Sequence, residues 1–155
     1  MTSRTFSSKE LTSLKAQMKL WARQLGFSMI GIADIDLSQA EQHLIQWLAD
    51  GRHGDMHYMV KHGDRRTKPA AIHPGTIRVV SVRMDYLPDS AALPTQILQD
   101  NTKGYVSRYA LGRDYHRLMR RKLQKLADLM VEVIGPFRYR AFVDSAPVME
   151  KPLAV

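Results

Sequence analysis

The chain has 155 residues, enough for one domain with a real core and too few to expect two. Apolar residues at 45 % and charged residues at 25 % are ordinary globular usage and argue against global disorder. There is no cysteine, which excludes disulfides, thiolate nucleophiles, zinc fingers and any iron–sulfur cluster ligated within the chain, while the net charge of +8 attracts anionic partners.

The opening stretch MTSRTFSSKEL has no apolar signal core, and no apolar run approaches the roughly 18 residues of a membrane span. The expectation is a cytoplasmic protein with no membrane partner. Ser7 and Glu10 have capping-box spacing, and Leu11, Leu14, Met18, Trp21 and Leu25 follow at helical intervals up to Gly26. FSMIGIADI (27–35) then reads as a short strand. Ser38 and Glu41 repeat the capping pattern before a second amphipathic helix carrying Leu44, Ile45, Trp47 and Leu48, which Gly51 ends.

Residues 52–76 hold glycines and prolines without a sustained period, so a loop-rich region is expected, with one short helix around Met56–His62. IRVVSVRMDYL (77–87) is the clearest strand, ended by Pro88, and PDSAALPTQILQDN reads as a connection with a weak helical turn. After Asp114 a helix places Leu118, Met119, Leu123, Leu126, Met130 and Val133 on one side, and Gly135–Pro136 breaks it. RYRAFVDSA supplies a last strand leading to Asp144. Strands alternating with helices give an α/β or α+β domain. The oligomeric state is left open.

Four histidines, His53, His57, His62 and His73, share the loop-rich region, but their spacing matches no zinc pattern and no metal site is assigned. HGDRRTKP (62–69) can aim guanidinium forks at a carboxylate, an amide or a phosphate, or it can be a solvated loop. Ten Lys/Arg lie between Lys103 and Arg140 against three acids, Asp114, Asp128 and Glu132. Within this region SRYALGRDYH combines planar cations and aromatic hydroxyls with a glycine that permits close backbone approach, suiting a flat ligand, a base or a phosphate. Asp114 there is placed to cap the following helix and to orient Arg113 or a tyrosine. FVDSAPVMEKP delivers a carboxylate at the end of an apolar strand, where a raised pKa would make it a proton donor, although an Asp that merely forms a turn is common at such a place. No G-x-S-x-G, P-loop or G-x-G-x-x-G is present. Charge alone leaves open whether 104–126 holds a nucleic acid, a phosphate-bearing cofactor or only water.

GFSMIGIADID, GDMHYM, RRTKP, HPGTIRVVSVRMDYLP, GYVSRYALGRDYH and FVDSAPVMEKPLA, in this order, resemble the N-terminal portion of bacterial epoxyqueuosine reductase, from about residue 10 to about residue 154. That resemblance implies a truncated cobalamin- and substrate-binding domain over 1–155, nitroreductase-like and similar to B12-processing proteins. It implies an oxidoreductase that reduces epoxyqueuosine to queuosine at the wobble position of tRNA, using cobalamin and two [4Fe-4S] clusters. The family's proton donor, the Asp of its VDS/T element, corresponds to Asp144, and the arginine of its R-x-x-P element, expected to contact the corrinoid, corresponds to Arg66. Ser107, Arg108, Tyr109, Asp114, Tyr115 and His116 are expected to line the same site, and the basic helix, with Arg117, Arg120, Arg121 and Lys125, to meet the tRNA backbone. The resemblance also implies a later glycine-rich segment, a cysteine-rich ferredoxin-like domain and helical repeats, which this sequence does not contain. The expectation is therefore a fragment, inactive alone, that ligates neither cluster. The alternative is a non-catalytic basic module that binds tRNA or another polyanion.

Overall fold

The computed structural model describes residues 5–87, 93–144 and 146–154. Pro88 and Ser145 lie outside them, as do residues 89–92 of the expected connection. Helix α1 (Ser8–Gln24) starts on the expected capping box, with the Ser7 side chain accepting from Glu10 N–H and the Glu10 carboxylate accepting from Ser7 N–H at 2.8 Å. It ends in a Schellman turn. Phe27 N–H reaches the Ala22 carbonyl and Gly26 N–H the Arg23 carbonyl, which requires the positive φ of 84° that Gly26 supplies. Lys122 Nζ donates to the adjacent Leu25 carbonyl at 2.5 Å, so a side chain distant in sequence completes the cap.

Strand β1 (Met29–Ala33) pairs antiparallel with β2 (Val79–Arg83), Met29 opposite Arg83 and Ala33 opposite Val79. Both strands are shorter than the apolar runs that announce them, because ladder bonds join only these five positions. An antiparallel pair with helices makes the domain α+β rather than α/β. Helix α2 (Ser38–Ala49) begins one step differently from expectation. Ser38 is already inside the helix, and the carboxylate of Asp36 accepts its N–H at 3.0 Å. That hydrogen bond holds the Asp36 carboxyl below its usual range.

The loop-rich region contains three short helical pieces where one was expected: α3 (Tyr58–Lys61), a 3₁₀ turn (Gly63–Arg66) and α4 (Pro69–Ile72). The expected weak turn is a six-residue helix, α5 (Pro94–Gln99). A second 3₁₀ turn (Arg108–Ala110) precedes α6 (Tyr115–Ile134), which Asp114 caps and Gly135 ends. A further short helix, α7 (Glu150–Leu153), lies against β2, with Ser81 Oγ donating to the Leu153 carbonyl at 3.0 Å.

The expected last strand is not formed over its described residues, 138–144 and 146. This segment is fastened by side chains instead of a ladder. Gln124 donates to the Tyr139 hydroxyl, the Arg140 guanidinium sits 4.9 Å from the centre of the Phe142 ring, and Val143 is buried. A strand is defined by its ladder, and these residues join neither β1 nor β2 in one. The core is Met18 and Ala22 of α1 against Leu126 and Ala127 of α6, with Phe27, Leu37, Val143 and Leu153 around them. Among the described residues no helix is long and apolar enough to cross a membrane.

Candidate functional site

The chain bends at Gly112, whose φ of 88° is open to glycine and costly for other residues. A Cβ there would meet nothing within 4 Å, so within the fold it is the turn that requires the glycine. The turn delivers Asp114 to the N-cap of α6, where its Oδ1 accepts His116 N–H at 3.0 Å. The same oxygen lies 2.9 Å from His116 Nδ1, and Oδ2 lies 3.7 Å from Arg117 Nε. Asp114 therefore orients His116 and Arg117 rather than Arg113 or a tyrosine. The side-chain bond to His116, then the backbone bond, hold its carboxyl below the usual range.

His116 reaches across to Asp144, with Nε2 2.8 Å from Oδ1. Tyr115 donates its hydroxyl to the other oxygen, Oδ2. The two aromatic rings stack, centroids 4.2 Å apart, and the Tyr109 ring meets Tyr115 edge-on at 6.2 Å. Donation to Asp144, with partial burial and the carboxylate's charge, pushes the Tyr115 pKa up to about 12, so the phenol stays a donor. Asp144 is not the buried carboxylate of an apolar strand end: its side chain is 49 % exposed and held by two partners. Behind it Glu150, which sequence reasoning passed over, is exposed, and its carboxyl is raised by partial desolvation and then by the charge of Asp144. The nearest signal was its position six residues on, across a Pro-containing turn.

Asp114, Tyr115, His116, Asp144 and the ring of Tyr109 thus form one cluster. Ser107 and Arg108 belong to the adjoining 3₁₀ turn, their carbonyls accepting Ala110 N–H at 2.9 Å and Leu111 N–H at 3.1 Å. Arg66 sits apart. Its Nη2 donates to the Tyr58 carbonyl at 3.1 Å, its guanidinium lies 5.9 Å from the Tyr58 ring centre, and its buried Nε has no partner. No hydrogen bond or ring contact joins Arg66 to the cluster among the described residues. The loop carrying it is anchored, since buried Thr67 donates to Glu41 Oε1 at 2.8 Å and Lys68 lies 3.2 Å from Asp64 and 3.7 Å from Glu41.

On the outer face of α6, Arg117, Arg121 and Lys125 follow at four-residue steps with Arg120 beside them, all exposed. Arg120, Arg121 and Lys125 meet no carboxylate among the described residues, whereas Lys122 turns inward to Leu25. Among the described residues no group of three His, Cys, Asp or Glu could hold a metal ion.

A family model described as epoxyqueuosine reductase QueG, DUF1730, matches residues 66–145, just over half of the chain and the whole Asp144 cluster. The chain belongs to the epoxyqueuosine reductase family. Relatives with that name include those of Pseudomonas aeruginosa, 53 % identical over 91 % of this chain and 39 % of the relative, and Aliivibrio fischeri, 53 % identical over 91 % and 38 %. The Escherichia coli epoxyqueuosine reductase is 48 % identical over 94 % of this chain and 38 % of its own length. The chain thus spans about two fifths of the length of these relatives. No solved structure matches it.

Proposed function

We propose that residues 1–155 are the N-terminal, cobalamin- and substrate-holding part of an epoxyqueuosine reductase, with the nitroreductase-like plan of B12-processing proteins, acting on tRNA in the cytoplasm. The observation that carries this reading is the clamped carboxylate of Asp144, inside the segment the family model matches. Removing an epoxide oxygen as water takes two electrons and two protons. Cobalamin, fed by [4Fe-4S] clusters held on cysteine-bearing polypeptide elsewhere, supplies the electron chemistry when bound. The residues of this chain hold the substrate and move protons. Asp144 is the donor to the leaving oxygen, and Tyr115 fixes the rotation of its carboxyl group.

The residues present fit a large flat corrinoid with amide-bearing edges. Tyr105, Val106, Tyr109 and Leu111 expose apolar and aromatic surface beside the cluster. The partnerless Nε–H of Arg66 is a donor that an amide oxygen can satisfy. Ser107 and Arg108 lie between Val106 and Tyr109 in the chain and are assigned to that apolar surface. Arg117, Arg120, Arg121 and Lys125 serve the tRNA backbone, to which a stripe of exposed cations is suited without reading sequence.

That stripe also supports a second reading, a non-catalytic module for tRNA or another polyanion. Titration of the purified chain with cobalamin, followed by the visible spectrum, separates the two. Uptake supports the first reading. No uptake at high concentration, together with a shift of tRNA mobility at low salt, replaces it with the second.

A further inference from the structure

We propose that His116 is a positioning residue that replaces the proton Asp144 gives up, pinned in the required tautomer by Asp114. This rests on the reading of Asp144 as the proton donor. Geometry carries it. Nδ1 lies 2.9 Å from Asp114 Oδ1, an oxygen that already accepts His116 N–H and has no proton to give in its ionised form, so Nδ1 carries hydrogen. Nε2 then faces Asp144 Oδ1 at 2.8 Å, and a contact of that length requires one proton between them. The ring cannot swing away, because it is stacked on Tyr115 and fastened at both ends.

In the loaded state the pair carries two protons, one on Nε2 facing Oδ1 and one on Oδ2, the oxygen that also accepts from Tyr115. The Oδ2 proton goes to the substrate oxygen and Asp144 is left as carboxylate. The Nε2–H bond then breaks and an O–H bond forms on Oδ1, leaving neutral imidazole with Nδ1–H on Asp114. Solvent returns a proton to Nε2, for the His116 side chain is 37 % exposed. A reaction that consumes two protons per turnover gains from a donor that reloads within the site. The charged groups facing the pair are Asp114 and Arg117 at the start of α6, and Glu150 of α7 behind Asp144; Tyr115 and Tyr109 flank it as neutral phenols.

Two measurements test this. In the ¹⁵N-labelled chain, His116 should show a protonated, hydrogen-bonded Nδ1, and Asp114→Asn, which keeps a capping oxygen, should move the ring towards the Nε2–H form that free histidine prefers. A wild-type ring with Nδ1 unprotonated overturns the proposal. In a full-length version carrying this sequence, His116→Gln should lower kcat by about 100-fold with KM and bound cobalamin unchanged, and added buffer acid at fixed pH should restore part of the loss. A kcat within twofold of wild type, or a loss indifferent to buffer acid, overturns it. If His116→Gln does not fold, Asp114→Asn serves in its place, with about a tenfold loss expected and no loss contradicting the proposal. Asp144→Asn separates the two layers. If that variant turns over, the reading of Asp144 as donor falls; if it is dead while His116→Gln is active, only the role of His116 falls.

Discussion

Asp144 has one oxygen on a phenol and the other on an imidazole, and each partner can be tested alone. Tyr115→Phe removes the donor to Oδ2 and keeps the ring that stacks on His116. A hydrogen bond to a charged group is worth about 1.5–3 kcal/mol, so in a full-length version we expect turnover to fall by about tenfold or more with the cobalamin spectrum unchanged. Full activity would show that His116 alone positions the carboxylate. Glu150 offers a stability test with a defined sign. Its carboxyl is raised in the fold by partial desolvation and then by the charge of Asp144, so the ionised form is disfavoured there. The resulting penalty is absent below the ordinary carboxylate pKa of about 4.3. It grows as pH rises between the unfolded and folded values and is constant above them. Glu150→Gln should therefore raise Tm at pH 7 and leave it unchanged near pH 3. An unchanged Tm at pH 7 contradicts the assignment.

At the scale of elements, α6 divides its work by face. Leu126 and Ala127 pack inward, and Lys122 ties the helix to the end of α1 through the Leu25 carbonyl. Lys122→Ala leaves that carbonyl without its charged donor and should cost roughly 1–2 kcal/mol in denaturant unfolding; no change would mean that water replaces the ammonium. The outer face is electrostatic. Changing Arg117, Arg120 and Arg121 together to Ala should weaken tRNA binding and reduce the slope of log affinity against log salt by roughly 0.7–0.9 for each phosphate that these arginines neutralise. An unchanged slope returns the stripe to a solvated surface.

Helices α1, α2 and α6 were legible because a 3.6-residue period and their end signals are local: Ser7–Glu10 and Gly26 for α1, Gly51 for α2, Asp114 and Gly135 for α6. The start of α2 was misplaced because its N-cap is Leu37, which carries no capping signal, while the Asp36 carboxylate accepts the Ser38 N–H from one position before it. The strand expected after Arg138 fails for a different reason. Phe142 and Val143 suit an extended segment, but whether it docks in register on a sheet edge is a tertiary fact. The site divides in the same way. Asp114 as a cap follows from its place before the helix, whereas the bond from His116 to Asp144, 28 residues away, depends on how the post-helix segment returns to the helix start. Exposure of Asp144 was likewise beyond reach of an apolar-strand argument.

At the scale of the molecule, eight apolar side chains form the buried core among the described residues, while Ile77, Leu98, Tyr86 and Leu87 stand more than three-fifths exposed. The sheet has only two strands among the described residues, and a two-stranded pair is marginal without packing on a face. Helix α1 packs against β1 and α7 against β2. A chain spanning about two fifths of its relatives' length thus combines a modest core with a tightly bonded cluster around Asp144. The cluster, more than the size of the core, is what this part of the family contributes to the proposed chemistry.

The most direct measurement is turnover of epoxyqueuosine-bearing tRNA by a full-length version carrying Asp144→Asn, with cobalamin occupancy read from the visible spectrum of the same sample. The account predicts bound cobalamin and no turnover. Bound cobalamin with turnover intact would contradict it, and would leave Asp144 as the acceptor that merely holds Tyr115 and His116 in place.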